Sequence, residues 1–253
     1  MTYELQKAGL WKRISALVLD VILLCVLSAG FITAVAFATG YDSANERLAA
    51  RYDYFEQTYN VKLSITNEEY QKLPKEEQAR YDEVAELIAG DEETANAYKR
   101  VVNLTMLMTS LGIFLAVLSL EFFVPLYFKN GQTVGKKVFN ICVVGVDGVR
   151  ISNVTLFVRS ILGKYAIEIM VPVFMVFLIL FNGIGMLGVV LMGLLLILQV
   201  ALVLCTRNGA AIHDLLASTA AVDGATQKIF DTREALEEYL QEQKEYRESR
   251  EDY

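Results

Sequence analysis

The sequence predicts an all-α membrane protein of about four transmembrane helices. A helical extracytoplasmic insertion is expected between helices 1 and 2, and a short cytoplasmic β-hairpin after helix 2. Three observations carry this reading. Charge is segregated: residues 14–40, 101–128 and 161–206 hold almost none, although charged residues are 21% of the chain and apolar ones 54%. Each apolar block can cross a hydrocarbon layer of ~30 Å at ~1.5 Å per helical residue, and the last is long enough to cross twice. Lysines and arginines crowd particular flanks, which orients the helices.

Residues 1–40 hold the amino-terminal segment and helix 1, an apolar run at about 14–39. A cleaved signal peptide is the competing reading, since Lys7, Lys12 and Arg13 precede the run and Ala36-Phe37-Ala38 resembles a cleavage triplet. The run is far longer than the ~7–15 residues of a signal core and carries Asp20, so a retained helix is expected. Residues 101–128 give helix 2, from Val101 to about Pro125, with Glu121 near its far end. Residues 161–206 give helices 3 and 4, divided by the turn signal Asn182-Gly183-Ile184-Gly185. Pro172 inside helix 3 predicts a kink whose freed carbonyl a neighbour must satisfy.

Residues 41–100 are too long for a simple loop, and their pattern is helical. Ala44 to Tyr59 prolongs helix 1 outward. Asn67 with Glu68 and Glu69 reads as a cap and first turn, Pro74 as a first helical residue and Gly90 as a stop. Asp91 then caps a helix that feeds into helix 2, and Leu73, Tyr81, Val84, Leu87 and Ile88 supply a small packed face. The tyrosines of this segment are read as half-buried packing residues with wet hydroxyls, against a ligand platform. In the loop 129–160, Phe139 to Val146, Asp147-Gly148 and Val149-Arg150-Ile151 form a hairpin signature. The tail 207–253 is highly charged from Asp231, and Leu236 and Leu240 mark a surface-lying helix.

The basic flanks are Lys7, Lys12 and Arg13; Lys129, Lys136, Lys137, Arg150 and Arg159; and Arg207. They predict a membrane protein with both termini and the 129–160 loop cytoplasmic, because retained loops collect Lys and Arg. The net charge of −7 argues against a nucleic-acid partner. Cys25, Cys142 and Cys205 lie in or beside apolar segments and imply no disulfide framework. His213 is the lone histidine, so no metal site is expected, and no cofactor.

The informative residues are those that cost energy where they stand. An ionised carboxylate at mid-bilayer costs at least ~2.5–3.5 kcal/mol, so Asp20 needs a partner or water. Arg13 lies two turns earlier on nearly the same face, while Arg159 or Lys164 from another helix would serve equally. Lys164 and Glu168 are four apart and can pair on one helix face. Glu121 and Gln199 complete the polar set. Functionally these groups line a proton or ion path; structurally they are interhelical ion pairs and hydrogen bonds that fix the bundle.

Gly131-Gln132-Thr133-Val134-Gly135-Lys136-Lys137 superficially suggests a phosphate-binding loop. Its spacing is one residue short, Lys137 replaces the magnesium-binding Ser or Thr, and it follows a membrane helix. A basic segment held against anionic lipid headgroups accounts better for Lys136 and Lys137. His213 and Asp214 are sequence neighbours and would not face each other on a helix. Ser218 and Thr219 lie near them without an oxyanion motif, so an enzyme is not expected.

Four stretches resemble the RDD family of bacterial membrane proteins, named for one arginine and two aspartates. They are Leu10-Trp11-Lys12-Arg13-Ile14-Ser15-Ala16-Leu17-Val18-Leu19-Asp20, the 131–137 stretch, Val143-Val144 before Asp147-Gly148, and Arg207-Asn208-Gly209 with His213-Asp214-Leu215-Leu216-Ala217-Ser218-Thr219. The resemblance assigns the arginine to Arg13, the first aspartate to Asp20 and the second to Asp214. Arg159 resembles the basic residue that starts the third segment. The likeness covers roughly 8–40 and 101–223; the insertion 42–100, the tail after Gly224 and Ser218 in place of a common Gly depart from it. The resemblance implies a transporter, with cation/proton exchange proposed for some members.

Three functions are therefore expected, the third being a lipid-interacting protein or receptor that rests on the basic loop and the tyrosines alone. In the first, a small transporter works as a homo-oligomer in the lipid bilayer, and Asp20 binds and releases a proton or cation under the influence of Arg13 and Arg159. In the second, a non-transporting accessory protein binds an envelope partner through 42–100.

Overall fold

The computed structural model describes residues 3–128, 130–180, 183, 185–206 and 208–251, with only the backbone at Glu251. Lys129 and Arg207 of the basic flanks, and Asn182 and Ile184 of the predicted turn, lie outside the described residues, as do Asp252 and Tyr253 at the tail's end. Four helices are long and apolar enough to cross a membrane: α1 (Leu10–Thr39), α5 (Glu92–Phe128), α7 (Asn153–Leu180) and α8 (Gly185–Cys205). Between α1 and α5 come α2 (Tyr41–Tyr59), α3 (Asn67–Lys72) and α4 (Lys75–Gly90). The short α6 (Val134–Val138) and strand β1 (Ile141–Gly145) precede α7; α9 (Ile212–Leu216), β2 (Thr219–Asp223) and α10 (Arg233–Glu251) follow α8.

Two compact units emerge. The first comprises residues 29–113, containing the carboxyl part of α1, α2 to α4 and most of the amino part of α5. Gly112 brings α5 against α1 so tightly that a Cβ would lie 2.8 Å from the Ile32 nitrogen, a small-residue contact typical of membrane helices. Gly40 separates α2 from α1, so the expected outward prolongation is a second helix. The α3 cap is Thr66 rather than Asn67: its hydroxyl accepts from the Glu69 amide at 3.3 Å, and Glu69 returns a bond to the Thr66 amide at 2.7 Å. Pro74 is the residue before α4, one place earlier than expected. Asp91 caps α5 as predicted, accepting from the Thr94 amide at 2.7 Å, and binds Arg51 of α2 at 2.9 Å. Those bonds to Thr94 and Arg51 hold the Asp91 carboxyl down at about 2. Val84 is buried, whereas Leu87 remains 41% exposed, so the packed face is narrower than the pattern suggested. Tyr70 packs edge-on to Tyr81 and donates to Asp82 at 2.8 Å.

The second unit comprises residues 1–28 and 114–253. Its core is a small antiparallel sheet in which Ile141 pairs with Asp223 and Gly145 with Thr219. The amino-terminal segment adds itself to β2, with Asp223 donating to the Gln6 carbonyl at 2.9 Å. Ile141, Val143, Val144 and Val222 are almost wholly buried. The Asp147-Gly148 turn forms, with Gly145 donating to the Val149 carbonyl at 2.8 Å and an isolated bridge from Val144 to Arg150. The regular ladder nevertheless goes to 219–223. Only three residues follow the turn before Ser152 caps α7 by accepting from Thr155 at 3.1 Å, too few to match a five-residue strand. The tail helix α10 lies on this unit through buried Leu236 and the Tyr239–Phe230 ring contact.

The helices α5 and α7 are not regular throughout. Both widen to π-helical bonding, at Leu118–Phe123 and Val158–Met170. Such stretches frequently mark functional positions, and here they carry Glu121, Arg159, Lys164 and Glu168.

Candidate functional site

Asp20 stands on the third turn of α1 and is 8% exposed. Its carboxylate accepts from the Thr133 hydroxyl at 2.5 Å and from the Gly135 amide at 2.7 Å. Thr133 also caps α6, accepting from the Lys136 amide at 3.3 Å. An acidic group therefore sits at the amino end of a short helix, where free amides favour negative charge. A Cβ at Gly135 would overlap the Ala16 carbonyl and lie 2.8 Å from the Asp20 carboxylate carbon, so only glycine permits this docking. The stretch that imitates a phosphate loop does hold an anion, and the anion is the chain's own aspartate.

This corrects one expectation. None of Arg13, Arg159 and Lys164 forms an ion pair with Asp20 among the described residues; a hydroxyl and a backbone amide of the 131–137 loop satisfy its carboxylate instead.

Arg159 and Asp214 form a second clasp. Arg159 pairs with Asp214 and donates to the Thr219 hydroxyl at 2.5 Å; Arg159 is 5% exposed and Asp214 2%. Asp214 also accepts from the Ala211 amide at 3.2 Å. Against the opposing effect of burial, Arg159, His213 and this amide hold the Asp214 carboxyl well below the usual carboxylate range. Arg13 reaches the segment between α8 and α9, donating to the Gly209 carbonyl at 2.5 Å. Gly209 has φ 59, and a Cβ there would overlap the Arg13 guanidinium.

The expected Lys164–Glu168 pair does not form. Lys164 binds Glu121, whose own carbonyl accepts from Ser160 at 2.5 Å. Glu168 instead accepts from the His213 amide at 3.0 Å, meets His213 Nδ1 at 2.8 Å and is hydrogen-bonded by Gln199. Wider turns in the π-helical stretch alter the angular spacing that an i,i+4 pair relies on. His213 and Asp214, though neighbours, approach to 3.6 Å between Nε2 and Oδ2. Burial, then Arg159, pushes the His213 imidazole below its ordinary value despite Glu168. Gly163 lets α9 lie on α7, since a Cβ there would come within 2.7 Å of the His213 Cα.

These groups surround a cavity of about 420 Å³. Arg13, Asp20, Lys136, Glu168, Gln199 and His213 contribute to its polar lining along with the paired Arg159, Asp214 and Lys164, and side chains of α1 and α8 to its apolar wall. Burial pushes the Lys136 ammonium down to about 8, against the attraction of Glu121. Sequence reasoning singled out Asp20, Arg159 and Asp214 but missed Thr133, Gly135 and Thr219 as their partners, and did not count His213 with the charged set. The phosphate-loop likeness was the usable signal for the first two.

Comparison with known proteins gives one positive finding. The family model described as the RDD family matches residues 7–218. No curated protein and no solved structure matches the chain.

Proposed function

The chain belongs to the RDD family and has four helices fit to span a membrane, and from that premise we propose that it is a small multi-pass transporter of the bacterial cell membrane, exchanging a monovalent cation for a proton. The loop end of the second unit, with both termini, faces the cytoplasm in this reading, as the positions of Lys and Arg favour. The observation that carries it is the cavity lined by Glu168 of α7, Gln199 of α8 and His213 of α9. Buried ionisable groups of this kind are expensive in a membrane and mark ion or proton routes.

Within this proposal the proton is handled by Glu168 and His213 rather than Asp20. Both Asp20 oxygens are occupied by the loop it docks, whereas His213 is the side chain whose ordinary titration falls nearest neutrality. Asp20, Arg159 and Asp214 are positioning residues. The wide apolar exposure of α8, with Leu194 at 56% and Ile197 at 67%, suits lipid or a second protomer.

The test is cation flux in proteoliposomes under an imposed pH gradient. Wild-type protein should exchange sodium or potassium for protons, Glu168→Gln and His213→Gln should abolish exchange, and Asp20→Asn should reduce it in proportion to the folded protein lost. No flux of any monovalent cation sinks the exchange reading. A second reading, an accessory protein that binds an envelope partner through 42–100, is favoured by the internal network of Arg51, Asp91 and Thr94, which ties α2 to the start of α5. Deleting it should then release a co-purifying partner and leave flux untouched.

A further inference from the structure

The acids of the cavity are committed, and two of its bases are not. Asp20 is held by Thr133 and Gly135, Asp214 by Arg159, and Glu168 by His213, while Lys164 is taken by Glu121. Arg13 donates to a neutral carbonyl, and the Lys136 ammonium reaches the Thr133 hydroxyl at 3.4 Å. Neither has a carboxylate within ion-pair distance among the described residues.

Beside these two cations the wall is apolar and open. Leu17 on α1 and Val200 and Leu204 on α8 line the cavity, yet they are 54%, 58% and 66% exposed. They belong to two helices long and apolar enough to span a membrane, so the surface they expose is suited to acyl chains. Unmatched positive charge therefore lies at the ends of spanning helices, with an apolar flank running into the bilayer. A lipid with an anionic headgroup carries the same order of polarity.

We infer that this cavity is a binding site for one anionic glycerophospholipid, its phosphate taken by Arg13 and Lys136 and one acyl chain lying along Leu17, Val200 and Leu204. The site shares its cavity with the proton-handling pair proposed above but uses the two cations that this pair leaves free. Lipid retention and flux are measured separately, so a failure of one is distinguishable from a failure of the other.

The experiment is native mass spectrometry of the full-length protein in a nonionic detergent, titrated with phosphatidylglycerol and phosphatidylcholine. Wild-type protein should retain one phosphatidylglycerol about tenfold more tightly than phosphatidylcholine, and Arg13→Gln and Lys136→Gln should each weaken it about fivefold. Lys137→Gln removes the same charge from the exposed side of the same loop and should change nothing. Val200→Trp fills the cavity without touching a charge and should also expel the lipid. Equal retention of the two lipids by wild type, or equal loss from Lys137→Gln, overturns the site as general surface attraction. Displacement of the lipid by inorganic phosphate at equal concentration overturns it in favour of a soluble anion.

Discussion

The Gly135 amide donates to the Asp20 carboxylate at 2.7 Å, and the space a side chain would need at Gly135 is already taken by Ala16 and Asp20. One contact thus explains two positions more than a hundred residues apart. It also fixes where the 131–137 loop stands: Thr133 and Gly135 bind α1, while Lys136 extends into the cavity. Gly135→Ala should therefore cost about 1–3 kcal/mol, as overpacking does. Asp20→Asn should cost a similar ~1–3 kcal/mol by removing the charge-assisted acceptor, its amide nitrogen opposing a donor. In a chemical-denaturation series the double variant should lose clearly less than the two single losses added together.

Arg159 and Asp214 make the most buried ion pair of the chain's described part, and its arithmetic is asymmetric. Removing one partner leaves an uncompensated charge, so Arg159→Met should destabilise by about 3–5 kcal/mol. Replacing Asp214 by Leu in the same protein should recover part of that loss, since no charge is then stranded. Thermal unfolding in detergent measures both.

The ion pairs chosen by the structure can be told from those suggested by spacing. Double-variant cycles should give a coupling of about 0.5–3 kcal/mol between Glu121 and Lys164, and again between Glu168 and His213. The cycle of Lys164 with Glu168 should give a value near zero, although these two are the i,i+4 neighbours.

His213 sets a pH dependence whose sign follows from its surroundings. Arg159, Asp214, Glu168 and Gln199 face it, and burial with Arg159 lowers its folded value below the ordinary ~6.5. As pH falls through ~6.5 the unfolded chain gains a proton that the folded chain refuses, so stability drops. Asp214 adds its own loss only at much lower pH, because its carboxyl is held below the usual range. The unfolding temperature should therefore fall between pH 7.5 and 5.5, and His213→Gln should flatten that slope.

Much of this was legible in the chain. The spans were written in charge segregation, and Asp91 as the cap of α5 was readable because capping is local. The β1 strand and the Asp147-Gly148 turn were legible too, but the partner of the regular ladder was not, because β1 and β2 are separated by all of α7 and α8. Asp20 was recognised as costly, but its partner could not be found by looking for a base: a carboxylate is satisfied as well by a hydroxyl and an amide. The Lys164 and Glu168 error came from assuming a regular α-helix where the backbone is π-helical, and no residue type announces that change.

Hydrogen–deuterium exchange of the 131–137 segment in the purified protein tests the central claim most directly. If Asp20 docks this loop, the Gly135 amide is protected in the wild-type protein, and Asp20→Ala releases protection there while leaving β1 and β2 unchanged. Equal protection of that segment with and without the Asp20 carboxylate would contradict the account.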